Sequence, residues 1–160
     1  MPNNLYAIEV KRAVAEDADD IMRVTKDAFV KYVEVAGLSR DIDALKETIE
    51  DIKSDIENKY VFIVKIDHVI VGAVRVELRD QDSAYLSRFA VDEEHRNTGV
   101  GKILMRAVDK VMTENSIKKL YLCTSSKATA LIRFYYGRGF YITGVEYTRG
   151  YPRATLVKEY

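Results

Sequence analysis

The segment Arg96-Asn97-Thr98-Gly99-Val100-Gly101 leads from an apolar run, Ala84 to Val91, into a stretch where Ile103, Leu104, Ala107, Val108, Val111 and Met112 recur on one face at helical spacing. Strand, tight polar loop and helix therefore follow one another without a break. A helix N-terminus carries free backbone amides and the positive end of the helix dipole, and both favour an anion. Gly99 and Gly101 let the backbone approach phosphate oxygens with no Cβ in the way, while Arg96 and Lys102 add charge at the rim. With Asn97, Thr98 and Val100 completing the turn, the segment reads as a pyrophosphate cradle. Two other phosphate motifs fail. A Walker A loop needs glycine where Arg96 stands and serine or threonine where Ile103 stands. A dinucleotide fingerprint needs a third glycine where Leu104 stands. Two glycines ahead of a helix also fit an ordinary loop and cap, so the surrounding elements have to decide.

Upstream, Ile8 to Val14 alternates well enough for a half-exposed first strand. Asp17 is the expected N-cap of a helix carrying Ile21, Val24, Ala28, Phe29 and Tyr32, ended by Gly37. Ile42, Leu45, Ile49, Ile52 and Ile56 put a narrow stripe on a second helix whose other face is mostly acid and lysine. Tyr60 to Ile66 and Val69 to Leu78 are rich in β-branched residues and separated by Asp67-His68, which predicts a hairpin although glycine is missing. Downstream come a short strand, Lys119 to Cys123, a short helix, Thr129 to Tyr136, and two closing strands, Phe140 to Tyr147 and Ala154 to Tyr160. The order is mixed α/β.

At 160 residues, with two prolines and no serine- or glycine-rich linker, residues 1–160 read as a single domain. Lysine plus arginine equals aspartate plus glutamate at 25 each, so no global field draws the chain to nucleic acid or an anionic membrane. One cysteine excludes a disulfide framework and fits a reducing compartment; with no basic, apolar leader at Met1-Pro2-Asn3-Asn4, the cytoplasm is the expected location. Two histidines, His68 and His95, make no metal-binding cluster, and no metal is expected. Cys123 has no adjacent base and reads as a small hydrophobe; His95 and His68 read as solvated loop and turn residues.

Arg96 to Gly101 matches the pattern Arg or Gln, two residues, Gly, one residue, Gly or Ala directly after a strand, and Phe134-Tyr135-Tyr136-Gly137-Arg138-Gly139-Phe140 supplies an aromatic-tyrosine step followed by Gly-Phe. In both motifs and in the order of flanking elements the chain resembles the GNAT superfamily of acyl-CoA-dependent N-acetyltransferases, over essentially its whole length. The resemblance implies a central, mostly antiparallel, twisted sheet of about seven strands with one splayed parallel pair, flanked by about four helices. It also implies acetyl-CoA as acyl donor, with Phe89, Ala90 and Val91 offering backbone to the pantetheine arm and Arg96 to Lys102 holding the pyrophosphate. Tyr135 falls where the family places its general acid. Neighbouring helical residues point about 100° apart, so only one of Tyr135 and Tyr136 can face the cofactor, and the family register favours Tyr135.

The general base is less defined. Some family members use a glutamate where this chain has Tyr85; Glu77 is the nearest carboxylate candidate, with Asp80, Asp82 or a water chain as substitutes. Ala128 replaces an asparagine common in the family, leaving that contact absent or supplied by Ser125, Ser126 or Lys127. Family acceptor pockets imply a lining from Phe29, Tyr32, Tyr147 and Tyr151. Six of the 11 tyrosines lie between positions 135 and 160, which fits either an aromatic-walled pocket or a homodimer surface. The reaction expected is direct attack of a small-molecule or peptide primary amine on the thioester, and the competing expectation is a non-catalytic acyl-CoA sensor.

Overall fold

The computed structural model describes residues 7–160. In chain order its elements are β1 (Ile8–Arg12), α1 (Ala18–Ala36), α2 (Asp43–Lys46), α3 (Ile49–Asn58), β2 (Tyr60–Ile66), β3 (Val69–Leu78), β4 (Ser83–Val91), α4 (Val100–Glu114), β5 (Lys119–Ser125), α5 (Thr129–Gly137), β6 (Phe140–Glu146) and β7 (Arg153–Glu159). The strands form one sheet in the order β1-β2-β3-β4-β5-β7-β6. Every pairing is antiparallel except β4 with β5, as the mixed α/β expectation required. The β2–β3 hairpin turns on Asp67 and His68 with φ of 49° and 70°. Aspartate and histidine enter the left-handed region more readily than most residues, so the turn closes without glycine.

Strand alternation sends side chains to two helical layers. One face packs Ile21, Val24 and Ile52 of α1 and α3 on Val61, Ile63, Ile70 and Ala73. The other packs Leu104, Met105, Val108 and Met112 of α4 on Val74, Val76, Leu86, Leu120 and Leu156. Each fully buried aliphatic side chain contributes about 1.5–3 kcal/mol, and the two layers clamp the sheet between them.

The single helix expected over Asp41 to Ile56 is two, α2 and α3, which makes five helices where about four were expected. The break falls at Glu47, whose backbone is extended at φ −63° and ψ 138°. Its carboxylate turns inward: Arg75 Nη1 and Nη2 each donate to a Glu47 oxygen at 2.7 Å, and Nη1 also reaches Asp55 at 2.9 Å. Arg75 is 1% exposed, and a guanidinium that deep must be paired, which outweighs one more helical turn. Thr48 restarts the helix by a reciprocal cap with Asp51, with bonds of 2.9 and 3.2 Å. Asp17 does not cap α1 through its side chain. It accepts the Val14 N–H at 2.9 Å and steadies the turn before the helix.

Candidate active site

β4 and β5 pair only at Ser83, Ala84 and Tyr85 against Lys119, Leu120 and Tyr121. From Leu86 onward the two strands part, so this stretch of β4 has no β5 partner. On its other edge β4 carries a bulge. Ala73 pairs with Ala90 and Arg75 with Ser87, so Val74 opposes both Arg88 and Phe89, and Arg88 takes a φ of 53°. Tyr32 reaches from α1 to the far side of the gap, where its oxygen accepts the Ser125 N–H at 2.8 Å and the Thr124 hydroxyl at 3.3 Å. A phenol thus takes the amide that a fully paired β4 would have claimed.

A cavity of about 510 Å³ follows this gap through the sheet. Phe29, Lys31 and Tyr32 of α1 line it on one face; Gly101 and Lys102 of α4 and Leu131, Phe134 and Tyr135 of α5 line it on the other. Arg88, Phe89, Ala90 and Val91 form its β4 wall, and Arg96, Asn97 and Gly99 its loop end. Among the described residues that line it there are four lysines and arginines, Lys31, Arg88, Arg96 and Lys102, and no aspartate or glutamate.

The loop end owes its shape to two glycines with different reasons. Gly99 is the N-cap of α4 at φ 92°, a conformation that L side chains adopt at a cost, although a Cβ there would meet nothing within 4 Å. Gly101 has ordinary helical geometry, but a Cβ would lie 3.1 Å from both Phe134 Cζ and Phe89 Cζ. Close aromatic packing is what its small size permits. The first backbone bond of α4 runs from Ile103 N–H to the Gly99 carbonyl at 3.0 Å, so the amides just before it stay outside the helical ladder.

Tyr135 is 4% exposed and packs edge-on to Phe89, Phe134 and Phe140, with ring centroids 5.6–5.9 Å apart. Burial pushes its phenol well above the ordinary tyrosine value, and the nearby Tyr32 phenol adds to the rise. No group among the described residues hydrogen-bonds its hydroxyl. Tyr136 turns outward, half exposed, and its oxygen accepts the Ile142 N–H at 3.1 Å.

The family model for the Acetyltransferase (GNAT) family matches residues 20–140. The chain belongs to the GNAT acetyltransferase family. It is 25% identical over 152 residues to YjcF, an uncharacterised N-acetyltransferase of Bacillus subtilis strain 168, covering 94% of this chain and all of that protein. Its fold is similar to that of a PaiA N-acetyltransferase of Thermoplasma acidophilum solved in complex with coenzyme A. There the TM-score is 0.82 at 21% identity, over 96% of this chain and 99% of that one. Ard1 of Thermoplasma volcanium gives a TM-score of 0.74 at 22% identity, over 96% and 97%.

In this GNAT chain the structure brings most of the expected site residues to one cavity: Phe29, Tyr32, Phe89, Ala90, Val91, Arg96, Asn97, Gly99, Gly101, Lys102 and Tyr135. Others lie elsewhere. Glu77, the carboxylate expected as base, lies outside the lining, 3.4 Å from Lys59 Nζ and from Arg79 Nε, and so is tied to two cations. Thr98 bonds its hydroxyl to the His95 carbonyl, and Val100 is buried in the α4 core; each enters the loop through its backbone alone. Ser125 Oγ accepts the Lys127 N–H at 3.2 Å, helping the turn into α5, and the Ser126 N–H donates to the Pro152 carbonyl at 2.8 Å, so neither serine hydroxyl stands in the lining. Tyr147 is 70% exposed and Tyr151 half-buried, and neither is in the lining, whose aromatic side chains come from α1, β4 and α5.

Lys31, Arg88 and His95 line the cavity without having been expected there. His95 is not a freely solvated loop residue: its Nδ1 is buried with no hydrogen-bond partner among the described residues, 3.8 Å from Asp92 Oδ2. Arg88 did leave a signal in the sequence. The apolar alternation Ala84, Leu86 resumes at Phe89, Val91, and the skipped beat at Arg88 is the bulge.

Proposed function

We propose that this GNAT chain transfers an acetyl group from acetyl-CoA to a primary amine of a small molecule or peptide. The observation that carries the reading is a cavity through a split sheet, with a cationic loop at one end and a buried phenol in its wall. Cationic lining without a carboxylate suits a donor bearing a diphosphate. Amides of the Arg96–Gly101 loop, with Arg96 and Lys102, would hold that diphosphate. The unpaired β4 backbone offers N–H and C=O groups to an extended arm as a neighbouring strand would.

When bound, acetyl-CoA supplies a thioester carbonyl for the amine to attack. β4 N–H groups in the gap are the donors available to negative charge developing on the carbonyl oxygen. Tyr135 keeps its proton at neutral pH and gives it to the departing sulfur, and the proton that the attacking nitrogen sheds on forming the amide restores the phenol. An alkyl amine with pKa near 10 needs roughly 4 kcal/mol to lose its proton at pH 7. With no carboxylate among the described lining residues, that proton goes to water in the cavity.

The same lack of a carboxylate favours one other reading, a sensor that binds acetyl-CoA without turnover. Thiol release measured over an amine panel separates them. Acceptor-dependent release supports the enzyme; acetyl-CoA binding with no release under any amine overturns it in favour of the sensor.

A further inference from the structure

Two of the four cations in the cavity, Arg96 and Lys102, belong to the loop that leads into α4. Arg88 is apart from them, three residues before Val91 on β4, roughly 10 Å back along the strand at its usual rise. It also faces the other way. Its Nε–H donates to Glu47 Oε2 at 3.3 Å, and Glu47 packs with Arg75 on the sheet face that carries α1 and α3, opposite α4. Arg88 therefore stands across the sheet from the Arg96–Lys102 end of the cavity, on the side that a donor held by that loop would leave open.

Its guanidinium is only partly used. Both Glu47 oxygens are engaged by Arg75 at 2.7 Å, leaving Arg88 one long contact. Among the described residues its two Nη nitrogens have no partner and neither is a buried orphan, and Arg88 is part of the cavity lining. The bulge holds the residue at φ 53°, which fixes where the fork starts. Lys31, the remaining cation, lies 3.7 Å from Glu93, whereas none of the acidic residues of α2 and α3 lines the cavity. A polycationic acceptor would meet no carboxylate among the described lining residues.

We propose that the acceptor is a small amine bearing a carboxylate, and that Arg88 binds that carboxylate through its Nη fork. This rests on the acetyltransferase reading and deepens it. Planar guanidinium and carboxylate match two bonds to two, a geometry lysine cannot reproduce. Arg88 is thus a specificity-determining residue for the acceptor, with no part in holding the donor.

The test is thiol release with acetyl-CoA and a panel of the common amino acids, their carboxamides, and the polyamines putrescine and spermidine. At least one amino acid should exceed its own carboxamide tenfold or more in kcat/KM, and exceed both polyamines. Arg88→Gln should collapse that acid-over-amide ratio at least tenfold, chiefly through KM, with the acetyl-CoA Kd within twofold; Arg88→Lys should recover only part of it. Circular dichroism and melting of both variants check the fold, and the wild-type preference stands independently of either. Wild-type preference for amides or polyamines, or equal losses on acid and amide in Arg88→Gln, overturns this proposal and leaves the acetyltransferase reading intact. No release with any member of the panel overturns both.

Discussion

Replacing Tyr135 by phenylalanine removes one oxygen from the cavity wall and, in this structure, no protein hydrogen bond. The aromatic contacts to Phe89, Phe134 and Phe140 survive, so the melting temperature should barely move. Catalysis should respond very differently. A positioned general acid contributes about 100- to 10,000-fold, or roughly 2.7–5.4 kcal/mol of barrier. Tyr136→Phe is the matched control, since it deletes the bond from Ile142 N–H on an exposed face. That should cost about 0.5–1.5 kcal/mol of stability and leave kcat unchanged. Steady-state thiol release, calorimetric acetyl-CoA titration and thermal melts on both variants make the comparison. Equal kcat in the two variants, or a loss in Tyr135→Phe fully explained by weaker donor binding, would refute the assignment of Tyr135 as the acid. The pH dependence offers a second check. Because the folded phenol holds its proton above the ordinary value of about 10, kcat should show no loss of the acid between pH 8 and 10. For stability the sign is the reverse of a carboxylate's. Above pH 10 the unfolded chain gives up that proton before the folded chain does. The contribution is therefore complete below pH 10 and is lost as pH rises past it, which melts from pH 8 to 11 can follow.

Gly99→Ala places an L residue at φ 92° with no clash to relieve, costing about 1–2 kcal/mol. Turning the loop to escape that strain moves its amides, so acetyl-CoA affinity by calorimetry should drop five- to thirty-fold; unchanged affinity would remove the loop from the donor site. Gly101→Ala should act through the cavity wall instead, displacing the Phe89 and Phe134 rings that lie 3.1 Å from the new Cβ, seen as altered near-ultraviolet dichroism. Glu47→Ala leaves Arg75 buried with Asp55 alone, and breaking such a pair costs about 3 kcal/mol or more. The melting temperature should fall by roughly 6–12 °C, and a drop under 2 °C would show the pair to be dispensable.

The elements and the loop ahead of α4 are legible because they rest on short-range patterns: β-branched runs either side of Asp67-His68, a helical stripe from Ile103 to Met112, and glycines at a strand-to-helix step. What escaped depends on pairing across long sequence separations. Glu47 ends a helix because Arg75, 28 positions away, is buried and needs its carboxylate, and no local stripe reports that demand. Glu77 looked available until Lys59 and Arg79 were brought beside it. Tyr147 and Tyr151 sit near Tyr135 in sequence, but neither is among the residues that line the cavity, so clustering along the chain did not become a shared wall.

The parting of β4 from β5 has a further result for how the molecule behaves in a crowded solution. Apart from the Ser125 N–H that Tyr32 takes, each strand there presents a border of N–H and C=O groups without a strand partner, the very template by which separate chains stick together. In most proteins such borders sit at the rim and must be blunted with charge or proline. Here they face each other inside the sheet, roofed by α1 on one side and by α4 and α5 on the other. Under the proposed reading, the coenzyme arm would meet these groups from within the sheet, where an approaching strand at the rim does not reach them.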